Sequence, residues 1–196
     1  MTDLWFFLAV VLIGLVGTAK IFLVLWRWWC ERLKYLEEIT LIKSISVDYI
    51  SDIIVPDKLG EDVHLDYILF TPRGLLVIDF RNISGNLFCS DQMSEWTIIN
   101  GGHRSTFSNP QNYMLNRVDA VSNIASGLVV EGRVVFSRST IFPKGVPSMT
   151  VPEANLASIM FIGDQALARL AVVQWLPIWE RIKMQLKPSL MGRKKG

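Results

Sequence analysis

The sequence has little of what marks the common site chemistries. Of its 196 residues only two are cysteines, Cys30 and Cys89, far apart and with no Cys-x-x-Cys or Cys/His spacing. That excludes a disulfide framework and a structural zinc site, and it fits a reducing compartment. The two histidines, His64 and His103, have no partners at metal or catalytic-triad spacing and read as surface residues. The formal net charge is only +2, and the terminal GRKKG accounts for more than all of it, so bulk charge does not point to nucleic acid. There is no internal repeat and no low-complexity tract. The length leaves room for one domain with a real core plus an accessory segment, and excludes two full domains.

What the sequence has in excess is apolar residues, 51% of the chain, and the excess sits in LWFFLAVVLIGLVGTAKIFLVLW, from Leu4 to Trp26. This stretch carries one charge, Lys20, and at about 1.5 Å per residue it matches a hydrocarbon core of about 30 Å, so it predicts a transmembrane helix. A cleaved signal peptide needs a basic start and a small-residue cleavage site, whereas the chain begins Met1-Thr2-Asp3 and leaves the run in VLWRWWCERLK, a stop-transfer pattern. A buried core helix this long and apolar is rare in a domain of this size. Lys20 can snorkel, Trp26, Trp28 and Trp29 suit an aromatic belt, and Arg27, Arg32 and Lys34 follow the span where only Asp3 precedes it. The expectation is a single-pass membrane protein with its C-terminal domain in the cytoplasm.

Beyond the span, ERLKYLEEITLIKSI spaces Leu33, Leu36, Ile39 or Leu41, and Ile42 as an amphipathic connector helix. DYISDIIVPD reads as a strand ended by Pro56, and LGED as a turn. HLDYILFTPRGLLVIDFRN reads as a hairpin, followed by short strands in NLFCS, EWTIIN and RSTFS. From Asn109 the period changes to 3.6. Met114, Val118, Val121 and Ile124 or Ala125 form one stripe, with Asn109 as N-cap, Pro110 at the first helical position and Gly127 as a stop. GRVVFSR, residues 132–138, predicts a buried strand. IFPKGVPSMTVPEA predicts a loop, and two closing helices follow it. The order implies an α/β fold, a mixed central sheet flanked by helices and built on one sheet. The expected divisions are an anchor at 1–30, a connector at 31–47, the core at 48–138, and a C-terminal loop and helices at 139–196.

The hairpin carries the charges that need explaining. Its turn, TPRG, places Pro72 and Gly74 second and fourth, as a type I turn prefers. If Thr71 and Gly74 close it, facing residues sum to 145, so Asp66 faces Asp79, Arg81 faces His64, and all four share one side of the sheet. Directly opposed carboxylates repel unless a cation or a shared proton lies between them, and a divalent metal is one such cation. The plainer reading is a solvent-washed face on which Arg81 is the salt-bridge partner. Against that, Asp79 sits inside LLVIDF, apolar on both sides, where a carboxylate is costly without a partner.

From about Asp48 to Phe136 the chain resembles the NERD, or nuclease-related, domain of the PD-(D/E)xK nuclease-like group. The likeness rests on LDYILFTPRGLLVIDFRNISGNL, on Trp96 of EWT, on FSNP ahead of a helix, and on VVF at Val134 to Phe136. The resemblance implies a restriction-endonuclease-like fold. It also implies a metal-dependent nuclease acting on DNA or RNA phosphodiesters, with Mg²⁺ or Mn²⁺ held by Asp66 and Asp79 as metal ligands. Arg81 stands where the family has a lysine that positions or activates water. An arginine effectively cannot give up its proton, so Arg81 can stabilise developing phosphate charge but cannot act as a base. Gln111 is the candidate for the family's glutamine after Asn-Pro, although ungapped matching puts Tyr113 there. The helix acid usual in such enzymes has only Glu37 or Glu38 as counterparts, without the customary glycine. A catalytically silent binding or scaffold module at the membrane, keeping the fold without turnover, is the alternative that Arg81 suggests.

Overall fold

The computed structural model of the chain describes residues 2–125, 127–160 and 163–188. It divides into two compact units, Met1–Leu41 and Ile42–Gly196. Most of the first is α1 (Thr2–Ile45), one uninterrupted helix of 44 residues. The expected span and connector are thus parts of one continuous helix. From Arg27 to Ile45 the sequence has neither glycine nor proline to end a helix, so the backbone ladder runs on. Among the described residues no helix is long and apolar enough to cross a membrane. The side chains of residues 4–16, which make up the first half of the expected span, lie outside the described set.

The second unit holds the strands β1 (Asp48–Pro56), β2 (Asp62–Thr71), β3 (Gly74–Arg81), β4 (Gly85–Phe88), β5 (Glu95–Asn100) and β6 (His103–Ser108). Helix α2 (Pro110–Ile124) follows, then β7 (Val130–Phe136), β8 (Thr140–Ile141), β9 (Thr150–Pro152), α3 (Glu153–Met160), α4 (Gln165–Gln185) and β10 (Lys187–Pro188). A six-stranded mixed sheet has the order β10-β1-β2-β3-β7-β9, and a second sheet of four strands the order β6-β5-β4-β8. The fold class is therefore mixed α/β with helices flanking the sheets, but the expectation of one sheet is corrected to two. Strand β3 has an antiparallel neighbour in β2 and a parallel one in β7, so both its edges are filled. The meander β4 to β6 is left to pair with itself and with β8. Strand β7 begins at Val130, two residues earlier than expected, β8 ends on the first residue of the stretch expected to be loop, and β9 lies within it.

The hairpin has the register that its turn predicts, with Thr71↔Gly74, Phe70↔Leu75, Leu69↔Leu76, Ile68↔Val77 and Tyr67↔Ile78. Thr71 Oγ1 accepts from Arg73 N–H at 3.1 Å and donates to Gly74 O at 3.0 Å. Gly74 has φ +124°, and a Cβ there would lie 2.3 Å from Val129 O, so only glycine closes this turn beside the loop entering β7. Alternation then sorts the side chains. Ile68, Phe70, Leu75 and Val77 join the core with Met114 and Val121 of α2 and Trp179 and Ile182 of α4. The other side carries Tyr67, which meets Phe80 edge-on. Asp66 and Asp79 follow the parity of Ile68 and Val77, so the carboxylates lie on the helix-covered side.

Candidate functional site

The β2–β3 register ends at Tyr67↔Ile78, and continuing it by one step sets Asp66 opposite Asp79, whose carboxyl the Asp66 side chain helps to hold down. Asp79 is only 3% exposed. Its Oδ2 accepts from Arg81 Nε at 3.1 Å and Arg81 Nη2 at 2.8 Å. The same oxygen has Arg117 Nη1 at 2.8 Å. That last contact is an ion pair without hydrogen-bond directionality, since Arg117 Nη1 is buried and unmatched as a donor. Arg117 Nε donates to His64 O at 3.0 Å, which fixes the guanidinium between β2 and β3. Burial pushes the Asp79 carboxyl up, but the hydrogen bond with Asp66 and the charges of Arg117 and Arg81 outweigh it and hold it below its ordinary 3.8.

Sequence reading did not find Arg117. A charged residue on a helix is taken as solvated by default, yet Arg117 lies three residues after Met114 and four before Val121, on the flank of the buried stripe. The helix is fixed at its start as expected: Asn109 Oδ1 accepts from Gln111 N–H at 2.9 Å, with Pro110 in the first turn. Close approach to β7 is allowed by Gly132. A Cβ there would lie 2.5 Å from Val118 Cγ2 and 2.7 Å from Met114 Cγ and Sδ. Gly132→Ala is expected to cost about 1–3 kcal/mol by forcing α2 away from the sheet, which thermal unfolding of the full chain measures. The same shift would carry Arg117 off Asp79.

The histidine also departs from expectation. His64 is half-buried, with Nε2 2.7 Å from Asp52 Oδ1 and Nδ1 3.7 Å from Asp66 Oδ1, so it is not an unpartnered surface residue. Asp52 interrupts the β1–β2 ladder between Ser51↔Tyr67 and Ile53↔Leu65 and has φ 54°, the left-handed region that aspartate tolerates better than most residues. Nor does Arg81 reach across to His64. It folds back along its own strand onto Asp79, because the buried carboxylate is the stronger attraction. His103 is exposed on β6, as expected.

Gln111 is buried, but its amide is engaged elsewhere: Nε2 donates to Asp91 Oδ1 at 3.0 Å and Oε1 accepts from Met149 N–H at 2.9 Å. Asp91 Oδ1 also accepts from Ser148 N–H and Oγ. These bonds, the Ser148 backbone N–H first, hold the Asp91 carboxyl below its ordinary value. Gln111 thus joins the β4–β5 loop to the segment before β9. Glu37 and Glu38 belong to the other compact unit.

The donor set bears directly on a divalent metal. Among the described residues no group of three or more His, Cys, Asp or Glu side chains could hold one. The two carboxyls that converge share a hydrogen bond, and one oxygen of Asp79 is already surrounded by three guanidinium nitrogens. Mg²⁺ requires near-octahedral oxygen ligands and gives up water reluctantly. As arranged, these residues do not fit it, because the arginines supply the positive charge that a metal would bring.

A family model described as the nuclease-related domain matches residues 31–137, more than half of the chain. No curated protein and no solved structure matches it.

Proposed function

Because the chain belongs to the nuclease-related domain family, we propose that it is a membrane-anchored, nuclease-related module that binds nucleic-acid phosphates without cutting them. The observation that carries this reading is the double guanidinium cap on Asp79. Arg117 and Arg81 neutralise the carboxylate from within, so the pair needs no metal to lie buried. Arg81 is one-third exposed and uses Nε and Nη2 on Asp79, which leaves Nη1 as the nitrogen that would meet an incoming phosphate. Arginine in place of lysine also removes the group that can lose a proton, and with it a general base.

Anchoring rests on α1. From Ile21 to Trp26 every side chain is 58–66% exposed, so this stretch of the helix is apolar all the way round and offers no face to water. Arg27, Arg32 and Lys34 just beyond favour a cytoplasmic C-terminal domain.

The contrasting reading is a Mg²⁺- or Mn²⁺-dependent phosphodiesterase, favoured by the convergence of Asp66 and Asp79. It requires both arginines to leave the acid pair. Incubating the full chain with plasmid, single-stranded DNA and RNA, in Mg²⁺, Mn²⁺ or EDTA, decides between the two. Binding that weakens with salt, equal in EDTA and metal and without cleavage, is expected. Arg81→Lys should leave cleavage absent. Metal-dependent cleavage in either form would overturn the binding-module reading, and failure to bind any of the three would remove nucleic acid as the partner.

A further inference from the structure

We infer that the outward side of α4 rests on an anionic lipid surface, a contact that goes beyond the α1 anchor but rests on the membrane-anchored reading. The inward side of α4 is defined by Ala168, Trp179 and Ile182, all buried, with Val172, Trp175 and Ile178 packed against the same core. At 100° per residue the opposite pole is Leu170, Val173, Pro177 and Met184. Leu170, Val173 and Met184 are 67%, 71% and 80% exposed. Charged residues normally gather at the pole farthest from the core, and here it is apolar.

The charges around this pole are what select its occupant. The one acid in α4, Glu180, is taken by Lys183 Nζ at 2.7 Å. Arg169 and Arg181 flank the apolar pole and make no ion pair among the described residues. An apolar strip bordered by uncompensated basic residues matches a helix lying in a lipid interface, where acyl chains take the strip and headgroup phosphates pair with the arginines. A second copy of the chain is a poorer occupant. Isologous packing through this face would bring Arg169 and Arg181 against the same residues, with no free carboxylate on the helix to offset them.

The test uses the full chain with Cys30→Ser and Val173→Cys, labelled with bimane and reconstituted in vesicles whose acyl chains carry bromine. Cys89 is buried and its thiol is pushed up to about 11, so it stays unlabelled. Quenching is expected to be about threefold or more stronger when phosphatidylglycerol is added to phosphatidylcholine, and to return to the lower level with Arg169→Glu/Arg181→Glu. No quenching in either vesicle, quenching indifferent to the charge reversal, or Val173→Cys cross-linking between two copies would each overturn the inference. Alkaline carbonate extraction of the same preparation reports on α1 separately. A chain that stays with the membrane yet shows no quenching refutes the α4 contact alone, and one that is extracted refutes the anchor.

Discussion

Asp79→Asn should lower the melting temperature of the full chain by about 6–20 °C, the equivalent of about 3–5 kcal/mol in a protein of this length. The substitution keeps shape and removes charge. It leaves Arg117, whose side chain is 16% exposed, without its counter-ion in a site walled by α2, β2 and β3. If the carboxyls were merely opposed and repelling, the same change would relieve the repulsion and raise the melting temperature, so the sign of the shift decides. Asp79→Asn/Arg117→Leu should recover most of the loss, because removing both partners leaves no buried charge, while Arg81 can turn to solvent. Mn²⁺ should leave the wild-type melting temperature unchanged. A rise with Mn²⁺ that Asp79→Asn abolishes would mean that a metal displaces the arginines.

The pH dependence follows from the same contacts. The Asp79 carboxyl is held below its ordinary 3.8 in the folded chain, so its contribution is complete above that value and is lost as pH falls through the lower folded value. Wild type should therefore lose stability more steeply than Asp79→Asn below pH 3.8. Equal slopes for the two would place the acid sensitivity elsewhere, with Asp48 as the next candidate. Burial pushes its carboxyl up, but hydrogen bonds from Trp179, Lys183 and the Tyr49 backbone, with the charge of Lys183, bring it below its ordinary value.

How much of this was legible depended on the reach of each interaction. The β2–β3 register and the α2 start are local: a four-residue turn sets one, and Asn109-Pro110 the other. From that register alone, Asp66 and Asp79 could be placed side by side. The second sheet was not legible. It exists because β7, about fifty residues after β3, takes the edge that the meander would otherwise have used. Arg117 was hidden for a related reason: its position on the helix stripe was visible, but the buried anion that makes a guanidinium welcome there lies on another element. The His64–Asp52 contact depends on the left-handed residue in β1, which no periodicity announces. Continuity of α1 was available from the lack of glycine and proline between Arg27 and Ile45, although the change from apolar to amphipathic sequence suggested a boundary.

A connection across most of the chain supports the second large effect, expected for Trp179→Ala. Trp179 is fully buried, stacks on Phe70 with ring centroids 5.5 Å apart, and donates from Nε1 to Asp48 Oδ2 at 2.8 Å. Lys183, one turn on, donates to the same oxygen at 3.0 Å. Removing the indole leaves a cavity under α4 and takes one donor from Asp48, a loss of about 3–5 kcal/mol, or again about 6–20 °C. Trp179→Phe keeps the stacking and gives up only the hydrogen bond, so its shift should be much smaller. The consequence reaches the acid site because α4 leads directly into β10, which pairs Lys187 with Ile54 and Pro188 with Ile53 along the edge of β1. Those two residues adjoin Asp52, and Asp52 holds His64 beside Asp66. If the indole is what keeps this edge covered, Trp179→Ala should speed amide hydrogen exchange at Ile53 and Ile54 before global unfolding, and Trp179→Phe should not. Unchanged exchange in Trp179→Ala would mean that β10 stays on β1 without help from α4, so that the C-terminal helix stabilises the core but not the strand that positions Asp52.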